Sequence, residues 1–536
     1  MKLRRPVVSL FRPGPLALVV LAYCALLWAL MARTPLWLDE VLQLLGTSSG
    51  SAWDAVVWAS RNAGGVPLGY LLQWMSLQTL GHSQVAARLP SALAAVLCAV
   101  LVLRLSRTFG LRSPSLAFLL FLILPLQLRY AVEARPYSLA LLWTLAATVV
   151  VLKLSAQPSL RLWAFYLVLS IAALYTQPFS LFLLLAHTVW LFGDHRNLAF
   201  RLAALQILAV ACFLPWYLHS RAEWTSVLST AGIQAHFEPK TVLMLVREIS
   251  GGGYALSIPL ILLAIWGVRS PALPRQTKLL LGTTILVPLL CVYAADAAFG
   301  YFFAIRQLIF ILPSLVLLAA EGLRLLYAAQ PRLGAAAAVA ILLLSAGHTY
   351  QHVRTKGENW ALAASILSLA TDHDACALIA PAAHLSLYAH FQPELLRRTC
   401  SPDLAREHVI VAAISPYSTP ADQAILQNRL STARFSAAYS TRAGGSTIQV
   451  LRRNPDETLS RWSSLPGPLT ANSGPLTANR RTTMTSSSIL TTDDVLATQP
   501  QILVPDPLLH VPSPAPFCPV HGQRGYDHRH HPGSFE

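Results

Sequence analysis

The sequence predicts an all-α polytopic membrane protein with about 11 transmembrane helices and additional interfacial helices, followed by a small C-terminal α/β extracytoplasmic domain and a disordered tail. Three observations predict this class. Of the 536 residues, 54% are hydrophobic and only 12% are charged, whereas soluble domains carry about 25% charged residues. Apolar runs long enough to cross about 30 Å of hydrocarbon recur from Leu16 to Tyr350. After that point the composition becomes first that of a small soluble unit and then rich in Pro, Ser and Thr.

Eleven apolar segments are predicted to span the membrane. They are residues 16–32, 89–103, 113–128, 138–152, 162–175, 179–193, 202–218, 255–268, 279–295, 307–323 and 333–349. The run from Leu68 to Leu80 is too short to span comfortably, and we expect it to lie at the interface or to be re-entrant. The first run follows Lys2, Arg4 and Arg5 without a clear small-x-small cleavage site, so we expect an uncleaved span rather than a signal peptide.

The distribution of basic residues predicts the orientation of these spans. A net charge of +16 would suggest nucleic-acid binding in a soluble protein, but most basic residues here lie in short loops, and the sequence contains no nucleic-acid motif. Lys and Arg concentrate in one alternating set of loops: residues 1–15, 104–112, 153–161, 194–201, 269–278 and 324–332. The positive-inside rule therefore predicts a multi-pass plasma (inner) membrane protein with a cytoplasmic N-terminus.

Acidic residues concentrate on the opposite side. Of the ten acidic residues before position 350, eight fall in the predicted outer segments: Asp39, Glu40, Asp54, Glu133, Glu223, Glu238, Glu248 and Asp296. Acidic residues contribute little to orientation. This clustering is therefore a separate observation, and it indicates chemistry on the outer face.

The chain divides into three predicted domains. They are a transmembrane domain over 1–350, a small extracytoplasmic α/β domain over 351–454, and a disordered Pro/Ser/Thr-rich tail over 455–536. The apolar runs Ala375 to Ala380 and Val409 to Ile414 predict buried strands of the second domain, and residues 361–370 and 420–433 predict helices. An odd number of spans places this domain outside.

The cysteines and histidines predict no metal site. A disulfide between Cys376 and Cys400 is allowed in an oxidising compartment, although two unpaired thiols fit the sequence equally well. The sequence has no CxxC pair. The tail contains a direct repeat and the tract His528, His530 and His531, but a histidine tract in a disordered segment is more often incidental than metal-binding.

The first candidate site is the acidic pair Asp39 and Glu40, just beyond the first span. Two carboxylates beside a membrane are costly unless they are solvated or used. A carboxylate here can act as general base toward an acceptor hydroxyl. The alternative is a solvated loop start, and residue types alone do not separate the two.

Further candidates follow at the ends of other predicted spans. Glu133, Arg135 and Tyr137 stand in Tyr130-Ala-Val-Glu-Ala-Arg-Pro-Tyr137, where an arginine can hold a lipid phosphate or act as an interfacial anchor between tyrosines. Tyr175 and Gln177 lie in another predicted outer turn.

Two more arginines lie at or within apolar stretches. Arg306 is an intramembrane arginine, which indicates a functional site by default, although it can also snorkel to the outer surface. Arg88 opens the second span and is similarly placed. The predicted topology puts all these candidates on one side of the membrane, in a cavity suited to a lipid phosphate and a hydroxyl-bearing partner.

Together these motifs resemble the C-type glycosyltransferases of the protein O-mannosyltransferase-like group, which includes bacterial aminoarabinose transferases. The matching features, over roughly residues 14–320, are Trp37-Leu-Asp-Glu40, Pro67-Leu-Gly-Tyr-Leu-Leu72, Arg88-Leu-Pro-Ser-Ala-Leu93, Glu133-Ala-Arg-Pro-Tyr137 and Tyr175-Thr-Gln-Pro-Phe179. The resemblance implies a polyprenyl-phosphate sugar donor, a glycan, lipid or protein acceptor whose hydroxyl lies on the outer face, and inversion at the anomeric carbon.

The resemblance also implies roles for individual residues. Asp39 becomes the general base, with Glu40 as its catalytic neighbour. The candidates for binding the donor phosphate are Arg135, Arg306 and Arg88, and those for positioning the acceptor or a cation are Glu133, Tyr137, Tyr175 and Gln177. The family often has a His or Lys before the Pro-Leu stretch, where this chain has Gly64-Gly-Val-Pro67. No metal ligand is therefore predicted, and dependence on a divalent cation stays open.

Two other classes of function remain as alternatives. A polytopic transporter would fit the number of spans, but transporters often have two related halves and charges near the bilayer midplane. An O-antigen-ligase-like enzyme of the cell envelope would use a diphosphate donor, and its main outer loop is expected later in the chain.

Overall fold

The computed structural model of the chain describes residues 13–48, 50–62, 64–230, 239–299, 305–354, 357–371 and 375–453. The predicted disordered tail, with its repeat and its histidine tract, lies outside these residues.

Helices make up the described chain as far as residue 354. In chain order they are α1 (Pro13–Arg33), α2 (Leu38–Thr47), α3 (Ala52–Arg61), α4 (Pro67–Leu80), α5 (Gln84–Thr108), α6 (Pro114–Ile123), α7 (Pro125–Ala131), α8 (Tyr137–Ala156), α9 (Leu160–Leu174), α10 (Ser180–Phe192), α11 (Arg196–Thr230), α12 (Pro239–Glu248), α13 (Gly253–Val268), α14 (Arg275–Phe299), the 3₁₀ helix Ile305–Ile311, α15 (Leu312–Ala329) and α16 (Pro331–Arg354). The predicted all-α membrane part is confirmed.

The eleven predicted spans each fall on one or two of these helices. Among the described residues, seven helices are long and apolar enough to cross a membrane, namely α1, α5, α8, α11, α14, α15 and α16. Two bent pairs, α6 with α7 and α12 with α13, raise the number to nine. The other two predicted spans coincide with α9 and α10, which have only 15 and 13 residues. The short apolar run that was predicted not to span forms α4.

A backbone hydrogen bond joins the two bent helix pairs. The α6–α7 pair bends by 63° and the α12–α13 pair by 89°. A broken helix exposes backbone polar groups, which must find partners inside the protein. Here the Leu126 N–H donates to the carbonyl of Ser250 over 3.0 Å. Gly251 follows with φ of +75°, and a Cβ at this position would collide with the Leu126 backbone. The two breaks therefore depend on each other and on a glycine.

Residues 34–83, here called the α1–α5 linker, hold the short helices α2, α3 and α4. Side-chain hydrogen bonds fasten α2 to its neighbours. Thr47 donates to Gln73 Oε1 over 3.0 Å, and Gln73 Nε2 donates to the Ala87 carbonyl of α5 over 3.2 Å. Trp58 of α3 donates to the Leu42 carbonyl over 2.9 Å. The position of α2 is thus set by the linker and by α5 together.

The small C-terminal domain (residues 357–453) is a four-stranded sheet with helices. Its regular elements are α17 (Trp360–Ala370), β1 (Ala375–Ala380), α18 (Leu385–Ala389), β2 (Val409–Ile414), α19 (Pro420–Thr432), β3 (Phe435–Ala443) and β4 (Ser446–Arg453), with short 3₁₀ turns between them. The sheet order is β1-β2-β4-β3. Strands β1 and β2 pair in parallel, and β4 is antiparallel to both β2 and β3. Cys376 and Cys400 form a disulfide.

The sequence predicted β1, β2, α17 and α19 of this domain, and the structure contains all four. It did not predict β3 and β4. These strands form a hairpin around Gly444 and Gly445, both with positive φ. A Gly-Gly pair between two strand-like runs is a hairpin signal, so the information was present in the sequence.

The C-terminal domain packs directly on the α1–α5 linker. One buried apolar cluster joins residues of both parts: Leu36, Val41, Leu44, Leu77, Trp360, Ala363, Leu387 and Tyr388. Trp360, at the start of α17, is 1% exposed. Burial of shared apolar surface holds α2 between the membrane helices and the sheet domain.

Candidate functional site

The candidate site begins at α2, whose first turn carries Asp39 and Glu40. Helix α1 ends at Arg33, and α2 starts four residues after Thr34. Carboxylates in the first turn of a helix are stabilised by the partial positive charge of its N-terminus. Successive helical residues point about 100° apart. The two adjacent carboxylates therefore enter different surroundings.

Asp39 lies between two arginines from distant parts of the chain. Its Oδ2 is 3.8 Å from Arg135 Nη2 and 3.7 Å from Arg306 Nη1. All three side chains are partly accessible, with exposed fractions of 21% for Asp39, 20% for Arg135 and 28% for Arg306. Two cations against one carboxylate leave a net positive charge at the surface, which favours an anion such as a phosphate.

Arg135 has several further contacts. It precedes α8, and its Nη1 donates to the Asp39 carbonyl over 3.4 Å and to Gln43 Oε1 over 3.3 Å. The guanidinium carbon lies 5.8 Å from the centroid of the Tyr137 ring. Its Nε is buried without a hydrogen-bond partner among the described residues. Arg135 is therefore held in place and keeps one N–H without a partner in the described part of the chain.

Arg306 approaches Asp39 from the 3₁₀ helix that precedes α15. Its guanidinium carbon is 5.9 Å from the centroid of the Trp37 ring. A cation over an indole face is attracted by the ring quadrupole. Trp37, for which the sequence predicted no separate role, thus helps to place the second arginine.

Glu40 and Arg88 form a different and fully buried group. Arg88 Nε and Nη2 each donate to one Glu40 oxygen over 2.8 Å, and both side chains are 0% exposed. The Ala134 N–H donates to Glu40 Oε1 over 2.7 Å. The guanidinium also donates to three carbonyls at the end of α1, those of Met31, Thr34 and Pro35.

The burial of this ion pair bears on the roles predicted for Glu40 and Arg88. Every guanidinium nitrogen of Arg88 has a partner inside the protein. In the structure both side chains are engaged by groups of the chain itself, whereas the resemblance implied Arg88 as a candidate contact of the donor phosphate and Glu40 as the catalytic neighbour of Asp39. The pair instead ties α1, α2 and α5 to the loop before α8, beside Asp39.

Glu133 is buried next to Arg129, an arginine that was not predicted as a site residue. Arg129 Nε donates to Glu133 Oε1 over 3.1 Å, and Arg129 is 35% exposed whereas Glu133 is 2% exposed. Arg129 lies in α7 and Glu133 two residues after its end, and a spacing of four residues favours ion pairs in helices. Tyr130 and Tyr137 meet edge to face nearby, with ring centroids 5.0 Å apart.

Tyr175 and Gln177 hold the turn between α9 and α10. The Tyr175 hydroxyl donates to the Cys212 carbonyl of α11 over 2.9 Å, and its carbonyl accepts the Leu68 N–H of α4 over 3.1 Å. The Gln177 carbonyl accepts the Ser180 N–H over 2.9 Å. Within the described chain no hydrogen bond or ion pair joins either side chain to Asp39. These two residues are thus not brought together with the Asp39 group.

The C-terminal domain adds two residues that were not predicted from the sequence, Glu358 and Tyr417. Glu358 Oε2 accepts the Leu38 N–H over 2.9 Å. Its other oxygen accepts the Tyr417 hydroxyl. Partial burial and the neighbouring Glu358 carboxylate raise the pKa of Tyr417, so this hydroxyl keeps its proton at neutral pH. Glu358 lies 320 positions from Leu38, and nothing near Glu358 or Tyr417 in the sequence points to that contact.

The described residues include no group of three or more His, Cys, Asp or Glu side chains that could hold a metal ion. Among the described residues, the Asp39 carboxylate can accept a proton, and the two arginines beside it can bind an anion. The site brings together one accessible carboxylate, two arginines and the hydroxyl-bearing ring of Tyr137.

Comparisons with known proteins agree with the family resemblance predicted from the sequence. Residues 64–219 match the family described as dolichyl-phosphate-mannose-protein mannosyltransferase. Two crystal structures of ArnT from Cupriavidus metallidurans share the fold at 14% sequence identity, each covering 82% of this chain and 98% of ArnT. The TM-score is 0.50 for the apo state and 0.53 for the form bound to undecaprenyl phosphate. No curated protein sequence matches the chain. The resemblance and the fold class predicted from the sequence are confirmed.

Proposed function

We propose that the chain is an integral membrane glycosyltransferase that transfers a sugar from a polyprenyl-phosphate donor to an acceptor hydroxyl on the outer face of the membrane. The observation that carries the proposal is the accessible Asp39 carboxylate, 3.7–3.8 Å from Arg306 and Arg135. The match to a mannosyltransferase family over residues 64–219 supports the reaction class. ArnT, which shares the fold, has been crystallised with undecaprenyl phosphate, and this supports a lipid-phosphate donor.

The proposed reaction is a single displacement with inversion. Asp39 takes the proton from the acceptor hydroxyl, whose oxygen forms a bond to the anomeric carbon of the donor sugar. The bond from that carbon to the phosphate oxygen breaks, and the electron pair leaves with the lipid phosphate. The products are the glycosylated acceptor and a polyprenyl phosphate, with the proton on Asp39.

Arg135 and Arg306 are proposed to bind the donor phosphate. Charge accumulates on the phosphate as it leaves, and cations already in place stabilise that charge without reorganisation. The Arg135 Nε, buried without a partner among the described residues, would supply one N–H. Because the same guanidinium groups lie beside Asp39, the proposed base and the proposed phosphate site belong to one charged group.

Glu40 and Arg88 are assigned a positioning role. They fasten the first turn of α2 to α1 and α5, so that Asp39 is presented to the arginines. Glu133 and Tyr137 stay proposed positioning residues for the acceptor or a cation, since they flank Arg135 in the chain. Tyr175 and Gln177 are proposed to act indirectly. They lie in the turn between α9 and α10, and the Tyr175 carbonyl of this turn accepts the Leu68 N–H of α4.

The outer-face location rests on the charge distribution. Basic loops predict the side opposite Asp39 to be cytoplasmic. The Cys376–Cys400 disulfide fits an oxidising compartment for the C-terminal domain. We therefore propose an inner-membrane enzyme with a cytoplasmic N-terminus.

The central test is the Asp39→Asn variant in purified membranes supplied with labelled polyprenyl-phosphate sugar. Asparagine keeps the size and hydrogen-bonding shape but cannot take the proton. We expect kcat to fall by roughly 10²- to 10⁴-fold, the usual contribution of general base catalysis. The KM for the donor should change little, because the arginines remain.

Asp54→Asn is the matched control. Asp54 lies in the same linker and is exposed, and it caps α3 through Ser51. This variant should transfer sugar at the wild-type rate. Wild-type transfer by Asp39→Asn would remove Asp39 as the base. Uptake of a solute by the wild-type protein without any glycosylated product would instead favour the transporter alternative.

A further inference from the structure

The start of α2 depends on a residue of the C-terminal domain. Glu358 Oε2 accepts the N–H of Leu38, the first residue of α2, over 2.9 Å. The same oxygen accepts Trp360 Nε1 over 3.3 Å. The other carboxylate oxygen accepts the Tyr417 hydroxyl. One side chain thus binds the helix that carries Asp39 and two groups of the sheet domain.

Helix α2 has no capping side chain of its own at its first N–H. The residue before the helix is Trp37, and an indole has no acceptor atom for a backbone N–H. The N–H groups of Glu40 and Val41 already bond to the Trp37 carbonyl over 3.0 and 3.1 Å. The usual N-cap side chains bond the second or third N–H of a helix. The Leu38 N–H is the first, and among the described residues its partner is Glu358.

Charge reinforces this arrangement. A carboxylate at the N-terminus of a helix is favoured by the helix dipole. Tyr417, which donates to that carboxylate, also lies within electrostatic reach of Asp39 and Arg306. The contact therefore joins the C-terminal domain to the same charged group that contains the proposed base.

Apolar packing lies directly behind the contact. Trp360 follows Glu358 by two residues and is buried in the cluster that contains Leu36, Val41 and Leu44. These residues flank Asp39 in sequence on both sides. The C-terminal domain thus covers the buried face of α2 and caps its first turn at the same time.

We propose that Glu358, supported by Tyr417, is a positioning residue for Asp39, so that the C-terminal domain is a required part of the active site. Its carboxylate fixes the first turn of α2 and with it the Asp39 side chain relative to Arg135 and Arg306. The expected change in kcat rests on the proposed function and on the role of Asp39 in it. The expected change in the stability of the first turn of α2 does not depend on that function.

The test uses the full-length protein in lipid nanodiscs with the variants Glu358→Ala, Glu358→Gln and Tyr417→Phe. Removing the carboxylate should lower kcat by roughly 5- to 30-fold, the factor expected for the loss of a helix cap. The KM for the polyprenyl-phosphate sugar should stay within about twofold, since the arginines are untouched. Glu358→Gln retains an acceptor oxygen and should recover most of the lost kcat.

Hydrogen–deuterium exchange gives a readout that needs no activity. In Glu358→Ala, peptides that cover the first turn of α2 should exchange faster than in the wild type, whereas peptides of α5 should not change. Tyr417→Phe keeps the bond to Leu38 and should alter exchange less than Glu358→Ala.

Glu394→Gln is the matched control. Glu394 accepts a hydrogen bond from Ser368 within the C-terminal domain, and it makes no hydrogen bond to α2 in the described chain. This variant should leave kcat and α2 exchange unchanged. Wild-type kcat and wild-type α2 exchange in Glu358→Ala would overturn the proposal. So would equal losses of kcat and thermal stability in Glu358→Ala and Glu394→Gln, which would show general destabilisation.

A failure of the proposed function has a different signature. If the wild-type protein transfers no sugar from the lipid donor, the glycosyltransferase assignment fails. Faster exchange at α2 in Glu358→Ala would then still show that the C-terminal domain caps this helix.

Discussion

At the scale of single residues, two adjacent carboxylates differ in their burial and in their partners. Asp39 is 21% exposed beside two arginines, and Glu40 is 0% exposed in an ion pair with Arg88. A buried pair of this kind is strongly destabilised when one partner is removed, because the other charge stays buried. Residue type alone does not distinguish the two carboxylates, and the sequence therefore predicted a catalytic role for both.

The arginines Arg88 and Arg306 should respond differently to substitution. Arg88→Met leaves Glu40 and three carbonyls without their partner, so we expect a loss of about 3–5 kcal/mol in stability. Arg306→Gln should leave stability nearly unchanged and raise the KM for the lipid donor roughly 10- to 100-fold, since a hydrogen bond to a charged group contributes about 1.5–3 kcal/mol. Thermal unfolding of detergent-solubilised protein and donor titration measure the two effects.

The reverse pattern would contradict this assignment. A stable Arg88→Met protein with a raised donor KM would restore Arg88 as a phosphate contact. A strongly destabilised Arg306→Gln protein would show that Arg306 is structural.

At the scale of secondary-structure elements, long apolar periodicity was the most informative signal. Each predicted span falls on one or two helices, because a long apolar segment in a membrane has few other ways to satisfy its backbone. The bends in the α6–α7 and α12–α13 pairs were not predicted, since they depend on contacts between segments more than 100 residues apart. The β3–β4 hairpin was missed because its exposed strands carry many polar and small residues.

The C-terminal domain should be sensitive to acid through His390. Burial, and to a lesser extent nearby His82 in the α1–α5 linker, lowers the pKa of His390 to about 4. A histidine whose pKa is lower in the folded state stabilises the fold above its unfolded pKa of about 6.5, and this stability is lost as the pH falls towards 4.

We therefore expect the apparent Tm of the full-length protein to fall between pH 7 and pH 4.5, and to fall less in the His390→Leu variant. The loss is at most roughly 1.4 kcal/mol for each pKa unit of the shift. Scanning fluorimetry across this pH range measures it. Identical pH profiles for the two proteins would exclude His390 as the cause.

At the scale of the whole molecule, the charge pattern predicts the topology. A phosphatase fused after Arg354, at the end of α16, should be active outside the cytoplasm, and a fluorescent protein at the same position should stay dark. The opposite result would require a different number of spans and would move Asp39 to the cytoplasmic side. A fusion within residues 269–278 provides the control, since this basic loop is predicted to be cytoplasmic.

The whole-molecule prediction from sequence was accurate for the fold and incomplete for the site. Asp39, Arg135 and Arg306 were selected from three distant motifs, and the structure brings them together. Glu358 and Tyr417 were not selected, because the contact with α2 arises only when the C-terminal domain packs on the linker. Local patterns identify which residues are unusual, but the partners of a residue depend on the tertiary fold.

The interlocked bends also bear on how the chain is made. Leu126 N–H receives its partner only when Ser250 has been synthesised, about 120 residues later, which takes roughly 6–25 s at ordinary rates of translation. During that interval the first bent pair carries an unsatisfied donor and should remain next to the insertion machinery or water. The break between α6 and α7 can therefore gain this hydrogen bond only after the α12–α13 segment has been synthesised.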